Sequence, residues 1–529
     1  MKPPQSVKIA CLLILSTLPA AVQAQFTFTT NNGAITITGY TGSGGAVVIP
    51  GTTNGHPVTS IGSSAFVNCF KLTNVMIPDS VTNIGNDFPP GSGAFSNCTN
   101  LTNVTIGTNV TSIGISAFSL CRSLTNITIP NSVVSIGGHA FSLCRSLISV
   151  TIGTNVTSIG SSGGSAFSYC SSLTSVSIPN SVINIGQYSF TDCTSLTNIT
   201  IGNSVTSIDL FSYSTSLTAI TVDTNNPAYS SLAGVLFNKS QTTLIQYPEG
   251  ITGSYTIPNS VTSIRYSAFF YCTNLTNVTI PNSVTNIEYD VFSSCTSLTN
   301  VTIGSNVTSI GNWAFDFCNS LTAITVNTNN PAYSSLAGVL FDKNEDTLIA
   351  YPGGYADSYT VPTSVTIIGV GAFAYCTSLT NIAIGNSVTN IEDDAFLQCS
   401  SLTSVYIQGN APSAGAAVFY GDNNATVYYL PGTSGWTNTF GGIPAVLWNP
   451  QAQTSDGSFG VQNNQFSFNI TGSSNLVIVV EACTNLASPT WIPVRTNTLN
   501  TFIGTNGTSY FSDPQWTNYP GRFYRLCMP

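Results

Sequence analysis

The residues of this chain with the most reactive side chains are its cysteines, of which the sequence contains 14. Most of them stand three positions after a phenylalanine: Cys69, Cys98, Cys121, Cys144, Cys170, Cys193, Cys272, Cys295, Cys318, Cys376 and Cys399. A zinc site needs clustered ligands at short spacing such as Cys-x-x-Cys, and the sequence has none. Ser214 takes the same place in one unit, so we interpret the series as buried free thiols. Cys483 and Cys527 lie outside it, and a disulfide between them stays an open alternative.

The other chemically capable residues form no catalytic pattern. The sequence contains no Gly-x-Ser-x-Gly, His-Glu-x-x-His or phosphate-binding loop, and we interpret His139 as an ordinary surface residue. Two acidic groups could offer oxygens to Ca²⁺, namely Glu392-Asp393-Asp394 and Asp342 with Glu345 and Asp346. Neither follows the spacing of an EF-hand loop, so we interpret them as solvated turn charges. We predict a protein that is not an enzyme and needs no metal or cofactor; a carbohydrate-active enzyme is the less favoured alternative.

The composition limits the partners. Charged residues make up 6% of the chain and the formal net charge is −9. Nucleic-acid binding requires a basic stripe that neutralises phosphates, and the few Lys and Arg residues are scattered. The hydrophobic content of 42% is enough for an ordered core. We therefore expect a folded protein that does not bind nucleic acid.

The first 24 residues have the pattern of a secretory signal peptide. Lys2 and Lys8 supply the positive start, residues 9–18 the apolar stretch, and Val22-Gln23-Ala24 a small-residue cleavage site. No later segment has the apolar length of a membrane-spanning helix. We predict cleavage after Ala24 and a protein that is secreted or held on the outer cell surface.

An internal repeat predicts the fold. The unit is Ala-Phe-x-x-Cys-x-Ser-Leu-Thr-x-Ile-x-Ile-Pro-x-Ser-Val-x-x-Ile-Gly, and its phenylalanine recurs at 66, 95, 118, 141, 167, 190, 211, 269, 292, 315, 373 and 396. The basic spacing of 23 residues lies in the range of leucine-rich repeats. Two long intervals, 211–269 and 315–373, resemble each other at a shift of 104 residues, and each is expected to hold a hairpin-like irregular coil.

The alternation of residues within the unit shows how one coil is built. Ile127 and Ile129 are expected to point inward from a short strand, while Asn126 and Thr128 point outward. Phe141 is expected to fill the core on the opposite, convex side. Because one coil cannot bury these side chains alone, stacked coils must share one core. We predict a mainly β protein: a right-handed leucine-rich-repeat solenoid followed by a small β-sandwich.

The repeat unit resembles the BspA-type leucine-rich repeats of bacterial surface proteins. The resemblance covers residues 58–408, with 25–57 similar to the entry strands of that family and 409–448 similar to its closing segment. Known members are adhesins and matrix-binding or host-interaction proteins. The resemblance therefore implies a binding function and leaves the ligand open.

A different pattern begins after the repeats. Residues 449–458 are expected to form a linker, and 459–529 a small β-sandwich with several short alternating strands. This segment resembles the terminal modules of many large secreted proteins of environmental bacteria. Sorting, envelope attachment and a simple stabilising cap all stay open for it.

Two kinds of surface could bind a ligand. The concave sheet is expected to display an Asn-rich column through Asn126 and a Thr-rich column from Met76 to Tyr406, which cross-strand hydrogen bonds alone could explain. Aromatic residues near the repeat phenylalanines are better binding candidates, because aromatics dominate interfaces and stack on sugars. The candidates cluster at Tyr266, Phe270, Tyr271, Tyr289, Trp313 and Phe317. We predict a non-catalytic adhesion or ligand-binding protein for an extracellular protein or glycan; a self-assembling envelope or biofilm protein is the alternative.

Overall fold

A computed structural model of the chain describes residues 25–85, 93–473, 476–499 and 506–529. The predicted signal peptide, residues 1–24, lies outside this part. The chain divides into two compact units. One consists of the residues up to Ser240 with Pro248–Gly250, and the other of Gln241–Tyr247 with Ile251–Pro529. No helix in the described ranges is long and apolar enough to cross a membrane.

The strands of the first unit follow one another at short intervals. They are β1 Phe26–Asn31, β2 Ala34–Tyr40, β3 Gly45–Val48, β4 Thr52–Thr53, β5 His56–Ile61, β6 Leu72–Met76, β7 Asn83–Ile84, β8 Asn103–Thr105, β9 Ser112–Ile113, β10 Asn126–Thr128, β11 Ser135–Gly137, β12 Ser149–Thr151, β13 Ser158–Ser161, β14 Ser175–Ser177, β15 Asn184–Ile185, β16 Asn198–Ile201, β17 Ala219–Val222, β18 Tyr229–Leu232 and β19 Val235–Asn238.

The second unit repeats this arrangement in its repeat region. Its strands there are β20 Thr243–Gln246, β21 Gly253–Thr256, β22 Ser263–Ile264, β23 Leu275–Thr279, β24 Asn286–Ile287, β25 Asn300–Ile303, β26 Ser309–Ile310, β27 Ala323–Val326, β28 Tyr333–Leu336, β29 Val339–Asp342, β30 Thr347–Ala350, β31 Ser358–Thr360, β32 Ile367–Ile368, β33 Asn381–Ile384, β34 Asn390–Ile391, β35 Ser404–Ile407, β36 Ser413–Ala414, β37 Thr426–Tyr429, β38 Thr439–Phe440 and β39 Ile443–Leu447.

Each regular coil contributes one strand to each of two parallel ladders. In the coil of Phe141, β10 pairs with β12 of the next coil through Asn126↔Ser149, and β11 pairs with β13 through Ser135↔Ser158. Ile127, Ile129, Val133, Ile136 and Phe141 are all buried, whereas Asn126 and Thr128 are exposed. The predicted alternation and the solenoid of 23-residue coils are confirmed.

The repeat phenylalanines stack on one another inside each unit. In the first unit the rings of Phe95 and Phe118 lie 5.0 Å apart at 1°, and those of Phe141 and Phe167 lie 5.1 Å apart at 5°. In the second unit Phe373 and Phe396 are 4.8 Å apart. This spacing matches the separation of neighbouring strands, about 4.8 Å. Stacking of identical coils therefore brings identical rings into contact.

The cysteine series has a hydrogen-bonding role in addition to its role in packing. The Cys144 thiol donates to the carbonyl of Phe118, one coil earlier, at 3.2 Å, and the Cys399 thiol donates to that of Phe373 at 3.0 Å. The Ser214 hydroxyl makes the same bond to Phe190 at 3.1 Å. All cysteines in the described ranges are free, as predicted for the series.

The two long intervals each contain an irregular coil with an antiparallel hairpin, as expected. Strand β18 pairs with β19 in the first interval, and β28 pairs with β29, and β29 with β30, in the second. Each interval also contains a coil in which tyrosine replaces the repeat phenylalanine. The ring of Tyr247 stacks on Phe269 at 5.1 Å, and that of Tyr351 lies 5.0 Å from Phe373. Each of these tyrosines lies about one repeat length before the next phenylalanine. This spacing could have revealed the two coils in the sequence, whereas the positions of the phenylalanines alone do not.

A buried asparagine anchors each hairpin to the preceding coil. The amide nitrogen of Asn330 donates to the carbonyls of Gly304 and Val307, both at 2.9 Å. Its oxygen accepts from the backbone N–H groups of Ala332 and Tyr333. Asn226 makes the equivalent four bonds in the first unit. The hairpins are therefore fixed parts of the structure.

The C-terminal module consists of two small sheets, as predicted for a β-sandwich. One contains β40 Gln451–Gln453, β41 Gly460–Gln462, β42 Gln465–Ser473 and β45 Asn506–Asp513, and the other β43 Val477–Cys483, β44 Ile492–Thr498 and β46 Phe523–Cys527; the short 3₁₀ helix η1 spans Trp516–Asn518.

Two expectations at this end of the chain need correction, and one open alternative is decided. Residues 449–458 do not form a free linker throughout, because β40 pairs with β42 and belongs to the module. The segment 409–448 contains a further coil, in which Phe419 stacks on Phe396 at 5.0 Å. Cys483 and Cys527 are free, since β43 and β46 place them opposite Phe523 and Val479, at different ends of the paired strands.

Tyr406 is also buried, although its column was expected to face solvent. Its register is as predicted, since it pairs with Ala383 and Tyr428 in the parallel sheet. The module covers this part of the sheet, so that Tyr406, Tyr428 and Trp448 share an apolar cluster with Phe468, Leu476 and Ile478. Local alternation determines which face a side chain occupies, and tertiary packing then decides whether that face is exposed.

Candidate functional site

The six candidate residues fall into two rows in the second unit, on either side of the buried repeat phenylalanines. Tyr266, Tyr289 and Trp313 precede Phe269, Phe292 and Phe315 by two or three positions. Tyr271 and Phe317 follow Phe269 and Phe315 by two positions, and Tyr375 follows Phe373 in the same way. Tyr266, Tyr271, Tyr289, Trp313, Phe317 and Tyr375 are called the aromatic surface below.

Four residues of the aromatic surface have a left-handed backbone. The φ angles are 59° for Tyr271 and 57° for Trp313, Phe317 and Tyr375. Glycine and asparagine tolerate this region, whereas a bulky side chain there is unfavourable. The turn position of Tyr271, Phe317 and Tyr375 holds Asn97 and Leu120 in the first unit, at φ 61° and 62°. Trp313 occupies a second left-handed turn of the coil, before the repeat phenylalanine. The left-handed backbone therefore belongs to the coil itself, and the aromatic side chains do not serve local backbone stability there.

The first row consists of contacting aromatic and cationic groups. The rings of Tyr266 and Tyr289 stack at 5.3 Å and 5°. The guanidinium of Arg265 lies 4.5 Å from the Tyr266 ring centroid and donates to the Tyr266 hydroxyl at 2.6 Å. Trp313, on the next coil, is 39% exposed and packs against Gly371, where even a Cβ atom would lie 2.7 Å from the indole. The row therefore presents a preformed surface whose rings are already held in place.

The second row contains the closest aromatic contact of the surface. The rings of Phe317 and Tyr375 stack with their centroids 3.6 Å apart, although the coil of Tyr351 lies between theirs. That coil has Gly353 at the equivalent position, and Gly353 approaches the carbonyl of Cys318. Since Gly353 has no side chain, the two rings can meet above it. Phe270, the remaining candidate, is half-buried, and its ring lies 6.1 Å from that of Tyr271 in the same coil.

A carboxyl group that sequence reasoning missed lies between the rows. Asp316 directly follows Phe315, at a position where other coils have Ser142 or Ser293, and this exception is the signal that could have revealed it. Asp316 is 9% exposed and lines a small cavity with Trp313, Phe315, Tyr351 and Ala374. Burial, with the nearby carboxylates of Asp290 and Asp394, raises the pKa of Asp316 to about 8. The cavity therefore contains a carboxyl group that loses its proton near neutral pH.

The acidic groups considered for Ca²⁺ have structural roles. Glu392 accepts a hydrogen bond from the backbone N–H of Val370 at 3.1 Å, and Asp393 accepts one from that of Ala416. Asp342 accepts from the backbone N–H groups of Asp346 and Thr347. Within the described ranges, no group of three or more His, Cys, Asp or Glu residues is arranged to hold a metal ion.

The Asn-rich column of the sheet face contains hydrogen bonds between side chains of neighbouring coils. The Ser149 hydroxyl donates to the Asn126 side chain at 2.6 Å, and the Asn277 side chain donates to the Ser254 hydroxyl at 3.2 Å. Hydrogen bonds between small uncharged side chains on neighbouring strands are enough to explain these residue types as structural. The aromatic surface and the Asp316 cavity are the stronger candidates for a binding site.

Known proteins share the repeat. Residues 59–163, 163–254, 252–337 and 351–439 match the family described as BspA type leucine rich repeat region. A leucine rich cell surface protein from Faecalibacterium prausnitzii is 34% identical over 72% of this chain and 93% of that chain, with a TM-score of 0.52. A leucine-rich repeat protein from Bacteroides ovatus is 26% identical over 77% of this chain and 94% of its own, with a TM-score of 0.46.

A further similar structure is that of the pneumococcal vaccine antigen PcpA, which is 17% identical over 80% of this chain and 96% of that chain, with a TM-score of 0.43. Among curated proteins, the sequence has no match. The family match covers well over half of the chain and coincides with the coils described above. The chain belongs to the BspA-type leucine-rich-repeat family.

Proposed function

We propose that this protein is a non-catalytic adhesion protein, secreted or held on the cell surface, that binds an extracellular protein or glycan through the aromatic surface. The observation that carries this proposal is the concentration of large aromatic side chains on the coils of Phe269, Phe292, Phe315 and Phe373. Among them, Trp313 and Phe317 are each 39% exposed, and Tyr289 is 50% exposed. Exposed aromatics on a rigid scaffold are typical anchors of binding interfaces.

Two further observations support binding as the function. The relative from Faecalibacterium prausnitzii is described as a cell surface protein. The contacts between Tyr266 and Tyr289, and between Phe317 and Tyr375, hold the rings in place before a ligand arrives. A ligand that meets ordered side chains loses less conformational entropy on binding, which favours affinity.

Arrays of glycans, matrix proteins and cell surfaces test the proposal. Residues 25–529 are compared with the variant Trp313→Asn/Phe317→Asn/Tyr375→Asn. Asparagine suits the left-handed backbone, so we expect the fold to persist while binding weakens at least tenfold. The matched control is Tyr169→Asn/Tyr188→Asn, which changes left-handed tyrosines of the first unit and should leave binding intact.

Two outcomes contradict the proposal: no binding to any array, or equal loss in both variants. Concentration-dependent assembly in light scattering, without a foreign ligand, would instead support the self-assembling envelope or biofilm protein.

A further inference from the structure

We infer that the cavity at Asp316 holds a primary ammonium group, namely the side chain of a lysine on a protein ligand. This inference rests on the proposed function, because it assigns a ligand chemistry to the same surface. It selects protein over glycan as the ligand. The small probes used below test it independently of the natural ligand.

The cavity has the size and walls that suit an ammonium group. Its volume is about 440 Å³ including the part that is open to solvent, which leaves room for a small group beside Asp316. Trp313, Phe315 and Tyr351 contribute aromatic walls and Asp316 the polar group. Aromatic faces attract cations, and a carboxylate accepts hydrogen bonds from an ammonium group. A trimethylammonium group lacks the N–H donors that the carboxylate would accept from a primary ammonium group.

The charge around the cavity lacks a compensating cation. The two ion pairs in the described ranges, Arg522 with Asp513 and Arg525 with Glu481, both lie in the C-terminal module. The groups that interact electrostatically with Asp316 are Asp290, Asp394, Tyr375, Cys318 and Cys376, none of which is cationic.

A buried carboxyl group in such surroundings is costly when it is charged and unpaired. Nine-tenths of Asp316 is buried, and its carboxyl group forms no hydrogen bond or ion pair in the part of the chain that the structure describes. A bound ammonium group would supply the missing hydrogen-bond donors and positive charge. A serine at this position, as in Ser142 and Ser293, would satisfy a purely structural requirement without this cost.

Calorimetric titration of residues 25–529 with Nα-acetyl-lysine methylamide tests the inference. The ammonium group of this probe stays charged below a pH of about 10. Protons compete with it for Asp316, so affinity should rise about tenfold from pH 6 to pH 7 and level off above the Asp316 pKa of about 8. The neutral analogue acetylated on Nε, and the trimethylated analogue, should bind at least tenfold more weakly.

Two variants test whether binding of the lysine probe depends on the Asp316 carboxyl group itself. Asp316→Ser introduces the residue that neighbouring coils tolerate, and Asp316→Asn keeps the size; both should abolish lysine binding and its pH dependence. The control Asp192→Asn makes the same change in charge in the first unit and should bind as the parent does. Circular dichroism verifies the fold of each variant.

Three results would overturn the inference: no heat of binding with the lysine probe, equal binding of the neutral analogue, or unchanged binding by Asp316→Ser. Saturation by CaCl2 alone, without competition from the lysine probe, would assign the cavity to a metal cation and would also overturn it. Array binding that survives Asp316→Ser but is lost in the triple aromatic variant would leave the proposed function intact while contradicting the lysine site.

Discussion

The two long intervals share one scaffold but differ in a pair of neighbouring residues beside the repeat phenylalanine. In the first, the backbone N–H of Tyr213 donates to a carboxyl oxygen of Glu249 at 2.8 Å, and Glu249 is almost fully buried. In the second, Phe317 corresponds to Tyr213 and Gly353 to Glu249, and the Phe317 ring stacks on Tyr375. The asparagine anchors, Asn226 and Asn330, are the same in both.

This difference shows which parts of the coil are free to vary. The buried asparagine satisfies four backbone groups in both intervals, and no other side chain offers two donors and one acceptor there with the same geometry. The position of Glu249 and Gly353 lies beside the turn and contributes no repeated backbone bond. The residue at this position can therefore change while the buried asparagine and its hydrogen bonds are kept.

The largest expected effect comes from removing the shared anchor. Asn226→Ala and Asn330→Ala should each destabilise their unit by about 3 kcal/mol, because buried carbonyl and N–H groups lose their partners. Urea unfolding measures the shift in midpoint. The exposed neighbours provide the controls, and Asn225→Ala and Asn329→Ala should change the midpoint little. Loss of stability in only one of the two anchor variants would contradict the view that the intervals share a scaffold.

The next effect is a pH dependence of stability that arises in the first interval and not in the second. Burial raises the pKa of Glu249 to about 9, from an ordinary value of 4.5. The folded state therefore retains a proton that the unfolded chain releases, so the free energy of unfolding should decrease as the pH rises between these two values. Glu249→Gln should remove this loss and stabilise the protein at pH 9.

Unfolding midpoints at pH 5, 7 and 9 test this expectation, together with hydrogen exchange of the Tyr213 amide. Gly353 has no ionisable group, so amides beside Phe317 provide the internal reference. A pH dependence that persists in Glu249→Gln would contradict the role of this carboxyl group.

A smaller effect concerns the thiol series. Cys144→Ala removes the donor to the Phe118 carbonyl and should cost about 1 kcal/mol, whereas Cys144→Ser keeps a donor and should cost less. Ser214 shows that a hydroxyl group can make this bond. Thermal unfolding of both variants checks the order. Equal effects would indicate that only packing matters at this position.

The smallest effect on stability is expected at the aromatic surface. Phe317→Asn loses the contact with Tyr375 but relieves the left-handed backbone, so we expect a change within about 0.5 kcal/mol. Tyr213→Asn, in the equivalent place, provides the comparison. Differential scanning calorimetry measures both. A loss of several kcal/mol in Phe317→Asn would mean that the ring stabilises the fold rather than serving a ligand.

The repeat pattern predicted most of the fold and only part of the candidate site. Phenylalanines every 23 residues and inward isoleucines indicated the stacked coils, and the structure confirms both. The repeat pattern did not predict the coils of Tyr247, Tyr351 and Phe419, because they lie in segments that diverge from the repeat unit. The aromatic candidates were found by residue type. The contact between Phe317 and Tyr375 was not predicted, because it depends on Gly353 in the coil that lies between theirs.

The amino-acid sequence alone determined the coil, because the period of apolar residues decides which side chains must be buried together. Tertiary structure decided the rest: which neighbour covers Tyr406, which thiol reaches which carbonyl, and that Asp316 is buried near two other acidic residues. The physical reason is that burial and the partners of a polar group depend on residues distant in the chain, which a local repeat does not specify.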